Sequence, residues 1–175
     1  MRRRPRGDWE TERSGDWTME IMIREATLAD EDGLDLLYTE IDRLHHEALP
    51  QVFRGHEEAA RPSTFLAAHL ADDTMRVFVA DVNGRLVGLI LLKIRSEEHP
   101  IKYSQHYLHI STLIVAAEFQ GQGVAQRLMD TAVTFARERG VSQLRLNVYN
   151  FNQRAIAFYE KEGFTTLSRH MWKKL

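Results

Sequence analysis

Residues 115–140 read VAAEFQGQGVAQRLMDTAVTFARERG. An aromatic and β-branched run just before them, YLHISTLIV, has the composition of a largely buried strand. After the glycines, Val124, Leu128, Ala132 and Phe135 recur at helical spacing, while Arg127, Asp130, Arg137 and Glu138 occupy the other face and Gly140 ends the pattern. The segment therefore predicts a strand that turns through glycine into a helix of about four turns. Such a unit must lay its apolar stripe on a sheet, which restricts the chain to mixed α and β layers.

The neighbouring patterns extend that reading. A short strand near Ile21 precedes Thr27 or Asp30 as a helix cap, and Leu34, Leu37, Ile41 and Leu44 then mark a helix that ends before Pro50. Ser63 caps a shorter helix carrying Phe65, Leu66 and Leu70. MRVFVADV and RLVGLILLKIR flank Asn83-Gly84, a strong hairpin signal. SEEHPIKYSQH, broken by Pro100, reads as a connecting loop before YLHISTLIV. SQLRLNVYN predicts a strand, Asn152 opens a short helix that Gly163 closes, and FTTLSRHMWKKL predicts a last strand. A length of 175 residues suits one unit, residues 19–175, behind a polar tail of residues 1–18 that includes the run Arg2 to Arg6.

Composition removes several function classes. A formal net charge of -2 offers no global attraction to nucleic acid or anionic lipid, so partners have to be sought at sites. The absence of cysteine excludes a thiolate nucleophile, disulfides and sulfur-ligated zinc, and suits a reducing, cytoplasmic location. Apolar runs stay short of the roughly 20 residues that span a bilayer, and the N-terminus lacks the apolar core of a secretory signal, so no membrane association is expected. His45 and His46 are adjacent on a helix and His106 and His109 fall at odd strand spacing; neither pair has metal-ligand geometry.

The glycine turn carries the chemistry. A helix start exposes unpaired N–H groups and the positive end of the helix dipole, which together attract phosphate. Gly121 and Gly123 let an oxyanion approach the backbone, and Gln120 adds an amide beside it. A nucleoside-triphosphate loop is excluded, because Val124 and Ala125 stand where Lys and Ser or Thr are required. A dinucleotide fingerprint would need glycine at 126, where Gln126 stands. A tight turn that binds nothing is equally compatible with the glycines alone.

Two linked motifs resemble the GNAT superfamily of N-acetyltransferases. QGQGVA is similar to its acyl-CoA diphosphate motif, with Gln120, Gly123 and Ala125 in place, and NFNQRAIAFYEKEGF is similar to its second signature through Asn152, Ala155, Tyr159, Gly163 and Phe164. IREATLADEDGLDLL resembles the opening strand and helix, so the likeness spans residues 19–175. It implies a mixed α/β fold with a mostly antiparallel central sheet of six to seven strands and about four flanking helices. It also implies direct acetyl transfer from acetyl-CoA to a primary amine of a small molecule, peptide or protein, without metal, and it admits a homodimer.

The resemblance further implies that the strand before the glycines splays from the one after the helix. Its segment containing Leu113 and Val115 would pair with the pantetheine arm, Val115 N–H polarising the thioester carbonyl. Gln120, Gly121, Gln122, Gly123, Val124 and Ala125 would hold the diphosphate, Asn152 would contact the arm, and Tyr159 would serve the departing thiolate. The carboxylate base common in the superfamily is missing, since HISTL offers Ser111 and Thr112. Alternation places Tyr107, His109, Ser111 and Leu113 on one face, which makes His109 a candidate base. Deprotonation by water, with His109 satisfied inside the sheet, fits the residues too. LHHEALPQVF would form an acceptor wall, where Glu47 either attracts a cationic amine or simply belongs to a solvated helix end. The missing carboxylate leaves a second reading, a degenerate acyl-CoA sensor or regulatory module.

Overall fold

The computed structural model describes residues 20–55, 61–62 and 64–174. The expected tail and the Ser63 cap lie outside the described residues. Strand β1 (Met22–Glu25) leads to helix α1 (Glu31–Ala48), helix α2 (Phe65–Ala71) and strands β2 (Met75–Val82), β3 (Arg85–His99) and β4 (Lys102–Val115). Helix α3 (Val124–Glu138), strand β5 (Leu144–Leu146) and helix α4 (Gln153–Lys161) follow. The strands form one sheet in the order β1-β2-β3-β4-β5, antiparallel except for the parallel β4–β5 pair.

Two cores sandwich that sheet. Leu128, Met129 and Ala132 of α3 pack with Ile90, Leu92, Leu108 and Ile110 on one face. Leu34 and Leu37 of α1 and Leu66 of α2 pack with Val79, Leu89 and Ile114 on the other. Burying each such aliphatic side chain contributes about 1.5–3 kcal/mol, which is what holds these amphipathic helices in place. Gly88 sets the approach of α3, because a Cβ there would lie 3.0 Å from both Ile114 O and Val124 Cγ1.

Several expectations hold locally. Asn83 and Gly84 have φ of 54° and 82°, as the two central residues of a type I′ turn require. Asp30 precedes α1, where its carboxylate takes paired bonds of 2.8 Å from Arg24 and one of 2.7 Å from the Thr27 N–H. Arg24 also reaches Asp81 at 3.1 Å, tying β1, α1 and β2 together. The Arg24 guanidinium holds the Asp30 carboxyl at about 2 in spite of its burial, against an ordinary 3.8. A lowered carboxyl stabilises the fold above its ordinary value and loses that contribution as pH falls from 3.8 through 2. Asp30→Asn is therefore expected to cost about 1 kcal/mol at neutral pH, allowing for screening at the partly exposed Arg24, and to flatten the acid limb of a urea-midpoint against pH curve.

The sheet differs from expectation in three ways. Among the described residues it has five strands and not six to seven. Residues 165–174 form no strand, and SQLRLNVYN contributes only Leu144–Leu146. The expected loop SEEHPIKYSQH instead prolongs β3 and β4 into a two-stranded arm whose tip is Pro100-Ile101. Proline at the tip needs no ladder hydrogen bond, and cross-strand polar pairs hold the arm: Ser96 with His106 at 3.0 Å, Ser104 to Glu98 at 2.7 Å, and Tyr107 with Glu97.

A third difference decides the site. Leu92 faces Ile110 and Leu91 faces Thr112, so Ser111 is an extra residue in β4. This bulge shifts alternation by one. Leu108 and Ile110 before it, and Leu113 and Val115 after it, all meet the α3 core. Tyr107 and His109 therefore point to the α1 side, and the expectation that His109 shares a face with Leu113 is corrected.

Candidate active site

β4 and β5 pair only through Leu108–Ile110 and Leu144–Leu146. Pairing stops at the bulge, and beyond it β4 has β3 on one side and, among the described residues, no strand on the other. The Ala116 N–H donates to Val87 O at 2.9 Å, so it faces β3, and the carbonyl before it faces the opposite way. Because a residue's N–H and C=O leave a strand on the same side, Val115 aims both at the open edge, and Leu113 does likewise two residues earlier.

At the end of this edge stands the turn. Gly121 and Gly123 have φ of 80° and 85°, and a Cβ built on either meets nothing within 4 Å. Left-handed backbone, not crowding, demands glycine here. Gly123 begins α3 without a side-chain cap, and the first backbone bond back to it comes from Arg127 N–H at 3.1 Å. The N–H groups of Val124, Ala125 and Gln126 therefore have no carbonyl partner within the helix, as a phosphate site requires. Gln122 donates to Glu118 O at 2.6 Å. Gln120 spends its amide N–H on Val115 O at 2.9 Å, and its amide oxygen accepts from Arg154.

That last contact brings α4 to the turn. Asn152 caps α4 by accepting from Ala155 N–H at 3.1 Å. One face of α4 carries Phe158 and Tyr159 against the α3 core, and the Tyr159 ring lies 5.5 Å from Phe158 and 5.7 Å from Phe164. Burial pushes the Tyr159 phenol up to about 12. The structure thus puts Leu113, Val115 and Tyr159 against the α3 core and joins the turn to α4 through Gln120 and Arg154.

His109 sits at the closed end of the β4–β5 opening, on the other face, between Lys93 on β3 and Arg145 on β5. Desolvation lowers its pKa below 6.5, and the charge of Arg95 adds to this against Glu97. The imidazole is therefore neutral at neutral pH and able to accept a proton.

Three contacts escaped the sequence reading. Glu40 on α1 accepts from Ala117 N–H at 3.1 Å, tying the helix to the end of β4. Arg154 occupies an unspecified position of the second motif, so nothing in that pattern singled it out. His45, near the end of α1, packs its ring 4.7 Å from Phe53, 5.5 Å from Tyr149 and 5.6 Å from Phe151. This cluster joins the loop after α1 to the connection between β5 and α4; Glu47 beside it is exposed. A separate cavity of about 350 Å³ under α1 and α2, lined by Asp35, Tyr38, Arg61 and Phe65, contains none of the turn residues. Among the described residues no cluster of three or more His, Cys, Asp or Glu could hold a metal, and no helix is long and apolar enough to cross a membrane.

Known proteins resemble this chain in sequence or in fold. An uncharacterized N-acetyltransferase of Mycobacterium bovis is 30% identical over 115 residues, 66% of this chain and 69% of that protein. A probable N-acetyltransferase of Xenopus laevis, camello, is 29% identical over 97 residues, and the match takes in 55% of this chain but only 42% of that relative. The solved structure of a tetramutant of the BH1408 protein of Bacillus halodurans superposes with a TM-score of 0.83 at 23% identity, covering 88% of this chain and 99% of that one. Aminoglycoside N-acetyltransferase AAC(6')-Iy, solved in complex with CoA, shares the fold with a TM-score of 0.67 at 16% identity, covering 89% and 95%. The model of the acetyltransferase (GNAT) family matches residues 38–164, which take in the later turns of α1, the β4 edge, the glycine turn and α4. The chain therefore belongs to the GNAT acetyltransferase family and is an acyltransferase.

Proposed function

We propose that this enzyme transfers the acetyl group of acetyl-CoA directly to a primary amine of a small molecule, peptide or protein, in the cytoplasm and as a homodimer. The observation that carries the reading is the continuity of two backbone surfaces. The uncapped start of α3 behind Gly121 and Gly123 suits a diphosphate, and the β4 edge at Leu113 and Val115 runs from it toward the β4–β5 opening. A molecule with a diphosphate at one end and an amide-rich arm at the other fits that sequence of donors, and CoA is bound in the AAC(6')-Iy neighbour.

On this reading the N–H groups of Gly121 to Ala125, with Gln120 and Gln122 beside them, hold the diphosphate. Leu113 and Val115 pair with the pantetheine arm, and the Val115 N–H meets the thioester oxygen as negative charge grows there. Asn152 keeps the start of α4 against the arm. The amine nitrogen bonds to the carbonyl carbon, the carbon–sulfur bond breaks and the electron pair leaves on sulfur. His109 takes the amine proton from the α1 face, directly or through water, and Tyr159 meets the sulfur from the α3 face. A phenol at about 12 facing a thiol of about 8.5 would transfer its proton uphill by about 5 kcal/mol, so Tyr159 acts by hydrogen-bond donation to the forming thiolate. The acceptor enters beside the His45, Phe53 and Tyr149 cluster.

An amine panel with acetyl-CoA tests this: acceptor-dependent thiol release and an acetylated product are expected. Tight CoA binding without thiol release on any amine would instead leave a CoA sensor. With an active acceptor in hand, kcat/KM is expected to rise with pH through the lowered His109 value, levelling near neutrality. His109→Gln is expected to lower the rate about 10–100-fold and to remove that acid limb; a profile unchanged by the substitution would assign the base elsewhere.

A further inference from the structure

The sheet face around His109 carries positive charge that the transfer step does not use. Ile94, Leu108 and Leu144 are neighbours across β3, β4 and β5, and all three pack on the α3 core. Alternation therefore turns Lys93 and Arg95, Tyr107 and His109, and Arg145 to the opposite face together. Arg145 lies directly beside His109, and Arg95 directly beside Tyr107.

The counter-charges on this face are already engaged. Lys93 reaches Asp72 at 3.3 Å, and the Glu97 carboxylate accepts the Tyr107 hydroxyl. Arg95 is exposed and, among the described residues, has no salt bridge. Its charge is felt at His109, where it adds to desolvation in lowering the pKa. Arg145 stacks with its guanidinium carbon 4.2 Å from the Tyr107 ring centre, and its Nη2 donates to Gln143 at 2.9 Å and to Gln105. Its Nε and Nη1 donors have no partner among the described residues. A guanidinium held on a ring and by two side-chain amides loses little further freedom when an oxyanion binds.

Position makes these donors relevant to the acceptor. Arg145 comes one residue before Leu146, where β4–β5 pairing ends, so it stands about 3.3 Å along the strand from the start of the opening. We propose that the acceptor is a small amine that also carries a free carboxylate a few bonds away, an α-, β- or γ-amino acid, and that Arg145 and Arg95 hold that carboxylate beside His109. The assignment rests on the acetyl-transfer reading above and narrows its acceptor. Planar guanidinium forks match a carboxylate with paired charge-assisted bonds. Two arginines against the one carboxylate of Glu97 also repel polycations, so the pair that holds an acid disfavours a polyamine.

Initial rates of thiol release from acetyl-CoA test this with amino acids of each spacing, each beside its own carboxamide, and with spermidine. The best acid is expected to exceed its amide by about 10-fold or more in kcat/KM, mainly through KM. Intrinsic reactivity runs the other way, because the less basic amine of the amide is freer of its proton at neutral pH. Arg95→Gln, at an exposed position, is expected to raise KM for the acid about 3–5-fold, and Arg145→Gln about 10-fold, with KM for the amide within about 2-fold in both. Arg95→Glu is expected to turn the preference toward the amide and spermidine. Acids no better than their amides, or a preference that survives both glutamine substitutions, would overturn the acid site and leave acetyl transfer standing. Should the Arg145 variant not fold, Arg95→Glu decides: an unchanged acid-to-amide ratio overturns the site. Thiol release with no amine at all would remove the transfer reading and this acceptor class together.

Discussion

Gly123→Glu is expected to raise the dissociation constant for CoA by about 100-fold or more, measured by titration calorimetry on folded protein. Two effects act, and their sizes differ. A side chain at φ of 85° costs about 1–2 kcal/mol of backbone strain, because left-handed geometry brings Cβ against its own carbonyl. That cost falls on the fold and lowers the melting temperature by a few degrees at this chain length. The carboxylate is the larger effect on binding. At about 5 Å from a phosphate, with an effective dielectric of about 20, like charges repel by about 3 kcal/mol, or roughly two decades in affinity. No atom lies within 4 Å of the new Cβ, so the side chain enters the space before α3 without displacing the core. Gly123→Ala shares the strain without the charge and is expected to weaken binding by less than about 10-fold. Unchanged CoA binding by the glutamate variant would remove the diphosphate from this turn.

Tyr159→Phe is expected to lower kcat about 100-fold, with KM for acetyl-CoA changed by less than about 3-fold. The substitution keeps the ring, and with it the packing on Phe158 and Phe164 that positions α4. Only the hydroxyl is lost, and a donor used as sulfur departs stabilises the transition state more than the bound substrate. A fall in KM-controlled rate with kcat intact would show that Tyr159 merely packs, while an unaltered kcat would transfer the thiolate-facing role to another group.

Helix starts and tight turns were legible because their causes are short-ranged. Asn83-Gly84 specifies its own positive φ values, Asn152 caps the N–H three residues on, and Gly121 and Gly123 adopt the left-handed backbone that only glycine takes without strain. The arm of β3 and β4 was not legible, since charged residues and Pro100 resemble a loop until cross-strand partners such as Ser104 and Glu98 are brought opposite one another. The segment FTTLSRHMWKKL shows the reverse: strand-like composition that, over its described residues, forms no strand.

The amino-acid order alone settled the strand–glycine–helix unit, the second signature around Asn152 and Tyr159, and hence the family, because each is encoded within a span of a few turns. Register and adjacency came only with the fold. One extra residue at Ser111 carries no mark in composition, yet it moves His109 to the face opposite Leu113. The edge left open on β4, the bond from Arg154 to Gln120 and the meeting of His45 with Tyr149 depend on where β5 stops pairing and how α1 and α4 lie against the sheet. Those are outcomes of long-range packing, in which residues a hundred positions apart compete for the same apolar surface, and no local pattern anticipates them.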